Sequence, residues 1–172
     1  MSKKVLYSLI LAIGCQFFIL VGMYVNAALP LWTGQEVRLK TIPVDPRSLF
    51  RGNYARLGYD ISQLASQYFP NKENLRNGEV VYISLKPGKN ELYEFSHITL
   101  KKPQQGIFLH GRIENRRYED KVSYFRVKYG IEAFFAPKEK ALALETKLRD
   151  GGIAVLMVSS AGRARLNNVI SE

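Results

Sequence analysis

Residues 5–25, VLYSLILAIGCQFFILVGMYV, run for twenty-one positions without a charge. As a helix rising ~1.5 Å per residue, such a run is about 31 Å long, the thickness of a bilayer's hydrocarbon core. The first expectation is therefore a membrane-spanning helix. Gln16 is its one strongly polar interruption, either a polar residue the bilayer tolerates or a contact with another helix. Lys3 and Lys4 precede the run, whereas residues 26–35, NAALPLWTGQ, carry no charge. That asymmetry predicts the N-terminus inside and the bulk of the chain outside. Pro30 is expected to end the helix, with Trp32 just beyond it at the level of the lipid headgroups.

Two processing signals compete with an intact anchor. Val25-Asn26-Ala27 satisfies the small-residue rule of a signal-peptide cleavage site, but the apolar run is longer than an ordinary signal core, which favours an uncleaved anchor. Cys15 follows Ala12-Ile13-Gly14, a faint lipidation motif. Apart from Gln16, the chain stays apolar from there to Val25, so a small buried thiol is the better account. The rest of the chain has no cysteine and hence neither disulfides nor thiolate chemistry, which is compatible with an oxidising compartment. The expected division is a membrane anchor over 1–29 and one extracytoplasmic domain over 30–172, large enough for a real core.

The chain's 25 Lys and Arg against 15 Asp and Glu give +10. Lys3 and Lys4 set aside, residues 30–172 keep 23 basic against the same 15 acidic residues, a charge of +8. A basic domain held at a bilayer feels anionic headgroups within roughly a Debye length. Nucleic acid is not an expected partner: there is no zinc-finger, RNP-like or helix-turn-helix pattern, and the charge is expected outside.

Strand patterns dominate beyond the anchor. EVRLKTIPV (36–44) alternates, with Val37, Leu39 and Thr41 on one face. YARLGYDIS (54–62) alternates again, with Leu57 and Tyr59 opposite Gly58. QLASQYF (63–69) reads as one or two helical turns before Pro70. EVVYISLKPG (79–88), ELYEFSHITLKK (91–102) and GIFLHGRIE (106–114) are strands between turn signals. KVSYFRVKYGIEAFFA (121–136) is one long strand or a hairpin broken near Gly130. Pro137 then opens a helix over 138–150 that Gly151-Gly152 closes. IAVLMVS (153–159) is the most apolar segment after the anchor and should be a central strand, with RARLNNVI (163–170) as its hairpin partner. The expected fold class is mainly β within α+β. A transmembrane helix leads into an antiparallel barrel-like domain with one flanking helix in the C-terminal half, and a sandwich is the alternative.

The sharpest local signal is VDPRSLFRGNYARLGYDI (44–61). It sets Arg47, Arg51 and Arg56 between Asp45 and Asp60, with Tyr54 and Tyr59 beside them and Gly52-Asn53 suited to a turn. GNYARLGY (52–59) resembles the signature of the GDYXXLXY family of bacterial membrane-anchored proteins, at Gly52, Tyr54, Leu57 and Tyr59. Asn53 stands where that pattern has aspartate. YGIEAFFAP (129–137), leading into a helix, is similar to the family's downstream block. The resemblance implies a single-pass protein of a bacterial inner membrane with its domain periplasmic or extracellular, and partnership with a multi-pass membrane protein. It implies no enzyme, and Asn53 cannot act as a charged acid, base or metal ligand.

Catalytic patterns find little support. His97 and His110 lie thirteen apart on separate expected strands, and a zinc site would need Glu94 or Glu114 as well. Ser84 with Lys86 lacks the buried lysine a nucleophile requires. There is no phosphate loop or dinucleotide fingerprint, and no cofactor or metal is expected. Glu132 is an acid among apolar neighbours, read first as an ion-pair partner for an arginine of the central block. Arg47, Arg51, Asn53, Tyr54, Arg56, Tyr59 and Glu132 are the candidate ligand-binding residues. The expected function is a non-catalytic envelope protein that binds or stabilises a membrane-protein partner. The alternatives are a module for anionic lipid or envelope polymer, with the three arginines as donors, and a membrane-tethered hydrolase.

Overall fold

A computed structural model describes residues 3–42, 54–119, 122–135 and 151–170; for 54–56, 117–119, 122 and 135 the description is of the backbone. The helix expected over 138–150 lies outside the described residues.

Helix α1 spans Lys3–Thr33. It is long and apolar enough to cross a membrane, and no part of its apolar window is covered by the rest of the chain. Cys15 is exposed on it, so the expected burial of that thiol is not met within the chain itself. The expected stop at Pro30 is corrected: the helix continues through it to Thr33, and Trp32 lies within the last turn. A proline inside a helix removes the bond to the carbonyl four residues back and crowds that carbonyl, and here it does so within the last four residues of the helix. Burial offsets the loss, because Pro30 is the helical residue that packs into the domain. Gly34 alone separates α1 from the first strand. Its N–H donates to the Pro30 carbonyl at 3.0 Å, and a Cβ at Gly34 would fall 2.2 Å from that same oxygen. The junction therefore accepts only glycine.

Eleven strands are described: β1 (Gln35–Ile42), β2 (Tyr54–Arg56), β3 (Gly58–Tyr59), β4 (Gln63–Ala65), β5 (Val80–Pro87), β6 (Tyr93–Thr99), β7 (Ile107–Glu119), β8 (Val122–Lys128), β9 (Ala133–Phe135), β10 (Gly152–Val158) and β11 (Ala164–Ile170). They form antiparallel sheets in the orders β11-β10-β1-β3, β2-β9 and β4-β8-β7-β5-β6. A parallel bridge, Arg38 to Leu92, links β1 to the approach to β6. Register shifts at Ser84/Leu85 and between Ile113 and Asn115 break the ladders of the five-stranded sheet. Bulges of this kind bend strands, and one of the antiparallel sheets is a half-barrel. The mainly β, barrel-like expectation after an apolar helix is met.

Burial follows the alternation. Val37, Leu39 and Thr41 are 1–3% exposed, whereas β10 is buried along most of its length, as a strand between two neighbours should be. Both main sheets feed one core that includes Leu39, Ile83, Leu109, Phe125 and Leu156. The helical turns expected over 63–69 are corrected to β4 followed by a short 3-10 turn at Ser66–Tyr68. Leu64 and Ser66 are both buried, a spacing of two that suits pairing with β8. Gly130, at φ +80°, ends the β8 run. The chain beyond it leaves that sheet to pair with β2, so 121–136 is neither one strand nor a hairpin.

Candidate functional site

The two blocks that stand out in the sequence, 54–61 and 129–135, meet in space. β2 and β9 pair antiparallel, with Tyr54 opposite Phe135 and Arg56 opposite Ala133. The Leu57 amide continues the pairing by donating to the Glu132 carbonyl at 2.9 Å. Two buried phenols then cross between the segments. The Tyr59 hydroxyl donates to the Ile131 carbonyl at 2.8 Å, and the Tyr129 hydroxyl donates to the Ile61 carbonyl at 2.5 Å. Each segment thus supplies one donor and one backbone acceptor to the other, a reciprocal clasp around Leu57 and Ile131, both buried.

Glu132 shapes the turn from which Tyr129 reaches across. One carboxylate oxygen accepts from the Tyr129 amide at 2.6 Å and the other from the Gly130 amide at 3.0 Å. Burial drives the ionisation of both tyrosines up, and the Glu132 charge adds to the effect. Both phenols therefore remain protonated donors at ordinary pH. Glu132→Ala leaves two amides without their acceptor and is expected to cost about 2 kcal/mol. Glu132→Gln, with one acceptor oxygen in place of two, should fall between the wild type and Glu132→Ala. Thermal unfolding of the full-length chain in a neutral detergent checks both.

The candidate residues divide by location. Arg47, Arg51 and Asn53 lie outside the described residues, and Tyr54 and Arg56 are placed through their backbones, in β2. Tyr59 and Glu132 are brought together, and both spend their polar groups on the fold's own backbone. Tyr59 also lines a groove of about 380 Å³ between β1 and the start of β6.

His97 and His110 do not meet. Their strands flank β5, with Ser84 opposite His97 and Tyr82 opposite His110. Among the described residues no cluster of His, Cys, Asp and Glu is arranged to hold a metal. Ser84 is buried while Lys86 is exposed.

One feature was not singled out in the sequence. A cleft of about 450 Å³ opens between the end of α1, at Met23, Asn26, Ala27 and Pro30, and the domain surface at His110, Arg163 and Arg165. Its only trace in the sequence is the spacing of the two arginines, which puts both on one face of an extended chain.

Compared with known proteins, residues 16–169 match a family model described as GDYXXLXY protein, from the middle of α1 to the penultimate residue of β11. Neither curated proteins nor solved structures give a match.

Proposed function

This chain belongs to the GDYXXLXY protein family, and from that premise we propose that it is a non-catalytic, membrane-anchored envelope protein that binds and steadies a multi-pass membrane protein in the same bilayer. The observation that carries this reading is the junction of anchor and domain. Helix α1 enters β1 through Gly34 alone, and its buried Pro30 packs into the domain. With no linker, the domain cannot swing or reach away from the bilayer. A mount of this kind suits lateral contact with a partner in the same membrane better than pursuit of a soluble substrate.

The two blocks that mark the family fit the same reading. Where side chains are described, they close the fold upon itself through Tyr59, Tyr129 and Glu132. Lys3 and Lys4 favour the N-terminus on the cytoplasmic side, which supports a domain on the periplasmic or extracellular face. The helix runs on past Ala27 and packs against β10 and β11, which favours retention of the anchor over its cleavage.

A photo-crosslinking residue at Gln16, repeated at Phe17, Phe18 and Ile19 to sample every face of the helix, tests the proposal in intact membranes. The expected result is one discrete adduct, from one helix face, with a multi-pass protein whose level falls when this chain is removed. Adducts with phospholipid alone at all four positions would overturn it.

A further inference from the structure

We propose that the cleft between the last turns of α1 and the start of β11 seats the phosphate of an anionic phospholipid headgroup, with Arg163 and Arg165 as its donors. The proposal rests on α1 spanning the bilayer and is independent of the partnership above.

Position is the first argument. The apolar run ends at Val25, and the helical wall of the cleft runs from Met23 to Pro30. Seven residues of helix rise about 10 Å, which carries that wall from the edge of the hydrocarbon through the headgroup layer. A lipid beside α1 therefore has its phosphate at the height of the cleft mouth. No soluble ligand is delivered there with comparable local concentration.

Chemistry is the second. Among the described residues no acidic residue lines the cleft, and none forms an ion pair with Arg163 or Arg165. The Arg165 Nε–H donates to the Ala27 carbonyl at 3.2 Å. That contact fastens the guanidinium to the helical wall and engages one of its five N–H groups, leaving the terminal nitrogens for an anion. Arg163 is exposed at the mouth. Burial first, and then the charges of Arg112 and Arg163, hold the His110 imidazole below its ordinary value, so the arginines act on this wall of the cleft as well. Asn26 offers a side-chain amide to the hydroxyls of a glycerol headgroup, and the volume of about 450 Å³ accommodates one. Guanidinium forks are the side chains best matched to phosphate oxygens, and basic pockets beside membrane helices select anionic headgroups.

The test uses the full-length chain in dodecyl maltoside, titrated with phosphatidylglycerol or with phosphatidylcholine of the same acyl chains and followed by native mass spectrometry. Phosphatidylglycerol should bind about tenfold more tightly than phosphatidylcholine. Arg163→Glu should abolish that preference. Because Arg163 is exposed, this variant should keep the wild-type melting temperature, which separates loss of binding from loss of fold. The R163K/R165K double variant should keep only part of the preference, because an ammonium keeps the charge but not the fork. Lys101→Ala with Lys102→Ala, an equal loss of charge from an exposed loop, should leave it unchanged. Equal binding of the two lipids, or an undiminished preference in Arg163→Glu, would overturn the site. Soluble glycerol phosphate that binds as tightly as the lipid would overturn the assignment to a phospholipid.

Discussion

Tyr59→Ala is expected to cost about 4 kcal/mol, a large share of the stability of a single domain. The ring is 1% exposed, so its loss leaves a cavity and strips the Ile131 carbonyl of its donor. Tyr59→Phe keeps the ring and removes only the hydroxyl, so its cost should be nearer 1.5 kcal/mol. Tyr129→Phe should behave alike, since its hydroxyl serves the Ile61 carbonyl in the same way. The two substitutions act on one clasp, and together they should depart from additivity. Denaturant unfolding of the four variants measures this.

The same phenols predict an alkaline limit. In the unfolded chain they ionise near the ordinary value of 10.0, whereas burial raises both in the folded chain. Their contribution is thus fully present below about pH 10 and is lost as pH rises above it. The fall should approach 1.4 kcal/mol per pH unit for each tyrosine. The doubly Phe-substituted chain should show a visibly shallower decline.

The second large effect concerns the anchor. Ile13 and Phe17 stand four apart near the middle of the apolar run, exposed on one face of α1. Replacing both with arginine puts two charges at the centre of the span, at about 2.5–3.5 kcal/mol each on insertion scales. Wild-type chain should resist extraction from membranes by alkaline carbonate. The double-arginine chain should appear in the supernatant or be degraded, because a penalty near 6 kcal/mol removes most of the advantage of insertion. A single conservative change such as Ile13→Leu should have no effect.

Much of this architecture is legible in the sequence, for a physical reason. β1, β5 and β10 each bury a face or the whole strand, so their patterns carry their own register, as Val37, Leu39 and Thr41 do. The β10–β11 hairpin announced itself through the turn at Ala161-Gly162. β2 with β9, and β4, were harder. Three residues are too few to establish a period, and β2 finds β9 nearly eighty residues along the chain. Tertiary pairing made 63–65 a strand where the local sequence suggested a helical turn. Pro30 misled in the opposite direction, because packing against the domain outweighs one lost bond in a last turn.

The candidate site was half legible. Tyr59 and Glu132 were singled out, but what they hold was not, since a phenol bonded to a distant carbonyl leaves no mark on the spacing of residues. Tyr129, bonded to the Ile61 carbonyl, leaves no such mark either. Arg163 and Arg165 read simply as the polar positions of an alternating strand. The end of α1, which lines the same cleft, is what brings the two arginines together as a site.

The mass of the chain recovered from carbonate-washed membranes tests the anchored architecture most directly. An uncleaved chain of 19.6 kDa in the membrane pellet, with none in the soluble fraction, is the expected result. A chain shortened at Ala27, or the intact chain in the soluble fraction without detergent, would contradict it.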